Sequence, residues 1–277
     1  VAVVPEVLAP VLEPGSGLGD IAPGEVKANH RRAVSLCALA AAPPAVVVGA
    51  VLAAVVGPIV GVVALILIGV MVAALLWRQA PAVALRRIGA VPLSETDNPR
   101  LFNVTEGLCA TFGLRMPNLH VVFDAVPNAC ALGRDATSAD VVVTSGLLDT
   151  MGPIELEGVI AHELAHVKRH DNTVSVVGLS LGRFGGESMV RRCVGTDREY
   201  RADVVGASAV RFPRGLLDAL RLMERAAAPS GNSVFSAARF GASRWVWIDP
   251  SVGHRDEAVA VGDLDATSVR AAALAEW

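Results

Sequence analysis

The longest hydrophobic pattern in the chain is a run from Ala33 to Trp77 that contains no Asp, Glu, Lys or Arg and consists mostly of Val, Ala, Leu, Ile and Gly. As one continuous helix, at about 1.5 Å per residue, it would be roughly 68 Å long. A bilayer's hydrocarbon core is about 30 Å thick, so the run suits two crossings better than one. Gly57-Pro58 stands where a hairpin would turn, and Pro43-Pro44 must either kink the first helix or confine it to Ala45–Val56. A single tilted span over Val46 to Trp77 is the alternative. Lys27, Arg31 and Arg32 precede the run and Arg78, Arg86 and Arg87 follow it. By the positive-inside rule both basic ends are cytoplasmic, which a hairpin satisfies and a single span does not. The expectation is a multi-pass protein of the cell membrane, with everything after the hairpin in the cytoplasm.

Elsewhere the pattern is that of a folded domain. Residues 1–30 carry Pro5, Pro10, Pro14 and Pro23 among scattered acids and glycines, a composition expected to build neither helix nor core. This divides the chain into a flexible tail over 1–32, a transmembrane hairpin over 33–77 and a domain over 78–277. Asn98-Pro99 opens a helix that runs to Phe112 and closes at Gly113. Three β-rich runs follow, Asn118 to Phe123, Asn128 to Leu132 and Val141 to Thr144, and they predict a small antiparallel sheet. From Pro153 to Asp171 the apolar positions Ile154, Leu156, Val159, Ile160, Leu164 and Val167 recur with a period near 3.6, so that segment is a helix. Further helices are predicted at Val174 to Leu181, Thr196 to Val210 and Pro213 to Ala227. The fold class is α+β, mainly helical.

Composition excludes several functions. Hydrophobic residues make up 53% of the 277 and charged ones 18%, which rules out low-hydrophobicity disorder. A net charge of −3 provides no basic field, so nucleic acid is not an expected partner. Cys37, Cys109, Cys130 and Cys193 form no CxxC pair and read as ordinary reduced thiols.

The chemistry is concentrated at His162-Glu163-Leu164-Ala165-His166. Residues four apart share a helix face, so two imidazoles converge on one Zn²⁺ while Glu163 is placed to hold a water as general base. The bland alternative is two solvated histidines on an exposed face. Asp197 to Asp203, on a later predicted helix, supplies what that alternative lacks. Catalytic zinc takes three protein ligands, and a carboxylate such as Glu199 is a common third. Asp203, one turn on, is placed to accept the free N–H of a ligand histidine.

These motifs, in this order, resemble the HtpX-like and CAAX-prenyl-protease family of integral-membrane zinc metallopeptidases, of the gluzincin type, over about residues 33 to 257. Pro127 to Ala131 resembles its Asn-Ala-aromatic-Ala strand, Glu155 to Asp171 its HExxH helix with a trailing Asp, and Arg198 to Asp203 its third-ligand helix. The resemblance implies a zincin-like domain with one Zn²⁺ held by His162, His166 and Glu199, Glu163 as general base, and Asn128 and Ala129 on the edge strand that receives substrate. Asp249-Pro250 with Arg255 resembles a His-Pro and Arg element that supports the transition state, with Asp249 in place of the histidine and His254 nearby as a substitute. Cys130 stands where an aromatic residue is usual, and no second hydrophobic pair lies between His166 and Glu199. The resemblance implies an endopeptidase acting on unfolded or membrane proteins at the bilayer, in quality control. A CAAX-type processing protease and a catalytically impaired zinc-binding scaffold are the alternatives.

Overall fold

The computed structural model describes residues 23–182, 198–226, 233–236, 243–252 and 266–276. Two long antiparallel helices come first, α1 (Pro23–Val55) and α2 (Pro58–Ile88). Val56 and Gly57 turn the chain between them, and Gly57 takes φ 135°, a conformation open to glycine alone. The helices approach closely: a Cβ on Gly61 would fall 2.4 Å from the Cβ of Ala53 and 2.6 Å from the carbonyl of Gly49. Both are long and apolar enough to cross a membrane. Large apolar side chains around the turn, including Val47, Val55, Ile59, Leu67 and Val70, are more than half exposed, a surface that water does not favour.

α1 departs from its expected bounds at its start and middle. It begins at Pro23, so residues 23–30 are helical where the proline content argued for a tail, and it continues through Pro43 and Pro44. Proline is well placed in a first turn, where its missing N–H has no partner to lose. Tertiary contact holds the next turns: Asn29, Ala33, Leu36 and Cys37 are buried.

After β1 (Val91–Pro92), α3 (Pro99–Phe112) starts on Asn98, whose side chain accepts from the Leu101 N–H, and ends at Gly113 in the left-handed region. β2 (Asn118–Val122), β3 (Ala129–Gly133) and β4 (Ala139–Thr144) complete a four-stranded sheet in the order β1-β2-β4-β3. The sheet is mixed, not antiparallel as expected. β3 and β4 form an antiparallel hairpin, but β4 slots between β3 and β2 and so lies parallel to β2, with Leu119 opposite Val141. A run of short apolar segments specifies strands without specifying their order.

The helices α4 (Ser145–Thr150), α5 (Pro153–Arg169), α6 (Asn172–Leu181), α7 (Arg198–Ala209), α8 (Arg214–Glu224) and α9 (Thr267–Ala275) follow. α5 is central: Leu156, Val159, Ile160 and Leu164 are fully buried in one core with Val141 and Val143 of β4 and with Leu216, Leu217 and Leu220 of α8. Each such side chain contributes about 1.5–3 kcal/mol. That packing fixes the helix bearing the two histidines. α6 packs against α1 and α2 and joins the long hairpin to the domain.

Candidate metal centre

The periodicity that buries one face of α5 leaves His162 and His166 together on another. Their rings meet edge to face with centroids 4.7 Å apart, and their Nε2 atoms are separated by 3.1 Å. α7 crosses beside them and brings in Glu199, whose Oε2 lies 3.1 Å from His162 Nε2 and 3.4 Å from His166 Nε2. One ligand atom from each of the three residues lies within 4.8 Å of the others, and all three residues are buried. The crossing depends on Gly206, where a Cβ would come within 2.9 Å of the His162 backbone.

Two carboxylates orient the imidazoles. Asp203 Oδ1 is 2.8 Å from His162 Nδ1, and Asp171 Oδ1 is 2.8 Å from His166 Nδ1. His166 Nδ1 is hydrogen-bonded to Asp171, and Asp203 lies beside His162 Nδ1, so that in the neutral rings each Nε2 is left to present a lone pair. Two imidazole nitrogens and a carboxylate oxygen then converge on one buried point, a donor set that fits a cation with nitrogen and oxygen preferences, as zinc has.

Glu163 is buried beside this cluster, and neither of its carboxylate oxygens has a hydrogen-bond partner among the described residues. Burial raises its pKa above the ordinary value despite the nearby His162 and His166. A buried acid without partners fits a position facing a metal-held water. Glu199 is the opposite case. Burial would raise it, but Arg198 and the histidines hold it well below the carboxylate range, with Arg198 Nη1 donating to its Oε1 at 2.6 Å. His166 is pushed down by burial and by Arg198, yet Asp171 and Glu199 prevail and raise it to about 9.

Two neighbours were not assigned from the sequence. Asp171, the trailing Asp of the helix motif, touches His166 because His170, a non-glycine residue at φ 58°, turns the chain back at the end of α5. Arg270 of α9 is fully buried, donates to Asp203 Oδ2 at 2.6 Å and Oδ1 at 2.7 Å, and donates to the Ile248 carbonyl at 2.5 Å. No pattern in the chain connects it to Asp203, 67 positions earlier.

Asn128 and Ala129 come together with Asp249 and are fully buried. The Asn128 amide donates to the Asp249 carbonyl at 3.0 Å and accepts from its N–H at 3.1 Å, and the Ala129 carbonyl accepts from the Ile248 N–H at 2.9 Å. Asp249 Oδ1 accepts from Ser251 N–H at 3.0 Å, from Ser251 Oγ at 2.5 Å and from Thr267 Oγ1 at 2.8 Å. These bonds tie Asp249 and Ser251 to Thr267 in the first turn of α9. His254 and Arg255 lie outside the described residues.

Residues 95–223 match peptidase family M48. The chain is 37% identical over 185 residues to the protease HtpX homolog of Tropheryma whipplei, covering 53% of this chain and 64% of that one. It is 34% identical over 175 residues to the protease HtpX homolog of Salinibacter ruber, covering 53% and 63%. It is 33% identical over 181 residues to that of Dictyoglomus thermophilum, covering 52% and 60%. The chain thus spans less than two thirds of the length of these relatives. No solved structure matches it. His162, His166 and Glu199 all lie inside the segment that is similar to peptidase family M48 and to these HtpX homologs.

Proposed function

We propose that this protein is a membrane-bound zinc endopeptidase. The observation that carries the reading is the convergence of His162, His166 and Glu199 within 4.8 Å beside a buried Glu163 whose oxygens have no hydrogen-bond partner among the described residues. His162, His166 and Glu199 hold one zinc, and Asp203 and Asp171 fix the two rings. When bound, zinc supplies Lewis acidity toward a water and toward a peptide carbonyl. Glu163 takes the proton from the attacking water on a carboxylate oxygen and returns it to the departing amine nitrogen. Its raised pKa suits both halves of that task. Asn128 and Ala129, at the start of β3, an edge strand among the described residues, are assigned to peptide backbone; the Ile248–Asp249 backbone holds their polar groups in this structure, and substrate would have to displace it. Recognition through main-chain hydrogen bonds is broad in sequence, which suits unfolded or membrane proteins as substrates and a quality-control task.

The hairpin over 33–77 crosses the bilayer twice, with the metallopeptidase domain that follows it on the cytoplasmic side; the basic residues at both ends support this topology. The test compares wild type with Glu163→Gln for zinc content and for hydrolysis of an unfolded protein, with and without a chelator. Stoichiometric zinc in both proteins, and chelator-sensitive hydrolysis in wild type alone, is expected. Glu163→Gln activity within tenfold of wild type, about 1.4 kcal/mol of barrier, overturns the assignment of Glu163.

A further inference from the structure

The first turns of α1, ahead of its apolar stretch, are seated on the end of the helix that carries both histidines. The Asn29 amide donates to the carbonyl of Arg169 at 3.3 Å, satisfying one of the last α5 carbonyls, which have no partner within their own helix. Glu25 Oε1 forms an ion pair with Arg169 Nη2. On its other side Arg169 Nε donates to Asp171 Oδ2 at 3.3 Å, and Asp171 Oδ1 lies 2.8 Å from His166 Nδ1. A continuous polar path therefore runs from Glu25 through Arg169 and Asp171 to His166. Glu25 also lies 3.8 Å from Arg201 Nη1 on α7, the helix of Glu199, although Arg201 is 46% exposed and that pair is weak.

We propose that Glu25 is a positioning residue for the metal centre: through Arg169 and Asp171 it fixes the orientation of His166, so that the seating of α1 sets how firmly the site holds its metal. The inference rests on the zinc reading above and adds to it a connection between the membrane hairpin and the site. Arg169 is nearly buried, with a guanidinium shared between two acids on different elements. Removing Glu25 leaves that guanidinium to Asp171 alone and frees it to draw the Asp171 carboxylate away from His166. Groups that orient a ligand histidine typically account for 10–100-fold in metal affinity. Glu25 acts one step further out, so an effect at the lower end of that range is expected.

The experiment measures zinc release from the full chain, in detergent, into excess chelator. Glu25→Ala is expected to release zinc about tenfold faster than wild type and Glu25→Gln at an intermediate rate. Arg31→Ala, an exposed change on the same helix, is expected to have no effect. A double-mutant cycle separates positioning from general loosening of α1: in an Arg169→Ala background, Glu25→Ala should add nothing. Fully additive effects overturn the path through Arg169. Wild type that holds zinc while Glu25→Ala releases it within twofold of the same rate overturns this inference and leaves the zinc reading intact. Wild type without stoichiometric zinc overturns both.

Discussion

His166 Nδ1 lies 2.8 Å from Asp171 Oδ1, a contact across only five positions that a continuing α-helix would not make. It exists because α5 stops at Arg169 and His170 adopts a left-handed conformation, folding the next residue back under the last turn. A non-glycine residue there stores about 1–3 kcal/mol of strain, which the surrounding contacts offset. The contact holds the ring so that Nε2 faces the metal position.

Asp171→Asn should therefore retain the fold while weakening zinc binding by about 10–100-fold, since the amide keeps the size but loses the charge that orients and polarises the ring. Competition with a chelator of known affinity measures it. An unchanged dissociation constant would mean that His166 is held by its helix alone.

Arg270→Ala should be more damaging to the fold than to the chemistry. It removes both charge-assisted bonds from Asp203, a carboxylate that burial would raise and that Arg270 holds below its ordinary value. Breaking a buried pair by deleting one partner typically costs about 3–5 kcal/mol. Thermal unfolding should show a large drop in midpoint, with zinc binding weakened because Asp203 no longer orients His162. Arg270→Lys should recover only part, since one ammonium cannot reproduce the two-pronged contact.

Legibility in the sequence followed the range of the interactions. The two histidines and Glu163 could be read because a helix converts a spacing of four into a shared face, and Glu199 and Asp203 because the same rule applies on α7. Arg270 could not, since only the folded chain brings α9 to α7. Asp171 lay in view as the trailing Asp of the helix motif, but its contact with His166 did not, because the turn at His170 has no glycine or asparagine to announce it. The runs of β2, β3 and β4 were legible to within one or two residues at each end, but the two-residue β1 was not, and the position of β4 between β2 and β3 depends on pairing across the sheet. The helical start of α1 was hidden by Pro23, which the sequence reading took as a sign of a tail.

Asp249→His should not raise turnover, although the family resemblance places a histidine there. Asp249 Oδ1 accepts three hydrogen bonds, from Ser251 N–H, Ser251 Oγ and Thr267 Oγ1, and an imidazole cannot accept all three. Each polar group left buried without a partner costs about 1–3 kcal/mol. The expected result is lower stability with equal or lower kcat. A several-fold rise in kcat would show instead that the carboxylate suppresses activity.

Zinc affinity should depend on pH through His166. In the metal-free protein burial and Arg198 lower its pKa, but Asp171 and Glu199 outweigh them and raise it to about 9. Its unperturbed value is about 6.5, so protonated His166 contributes stability to the metal-free fold that is fully present below about 6.5 and lost as the pH rises through about 9. Zinc needs the neutral ring and must displace that proton. Affinity should rise by about tenfold per pH unit between about 6.5 and 9, and the thermal stability gap between loaded and metal-free protein should widen over the same window. A flat affinity profile across pH 6.5 to 9 would show that His166 is already neutral in the metal-free protein and that Asp171 and Glu199 do not hold a proton on it.

The topology is open to direct measurement. At about 1.5 Å per residue α1 is roughly 50 Å long and α2 roughly 46 Å, each longer than a hydrocarbon core of about 30 Å. The excess is accounted for at the ends away from the turn. Glu25 and Asn29 of α1 are engaged by Arg169, and Arg78, Arg86 and Arg87 mark the polar end of α2. The exposed apolar belt lies on the turn side, where no charge is present to anchor an external loop. On the proposed topology both polar ends lie on the same side of the bilayer as the metallopeptidase domain, and the Val56-Gly57 turn on the other. Reporter fusions after Arg32 and after Arg87 should both report the cytoplasm, while a tag at Gly57 should be reachable by an impermeant reagent from outside. Opposite locations for the two flanks would establish a single span. They would also contradict the seating of α1 on α5, because Glu25 and Arg169 cannot meet across a bilayer.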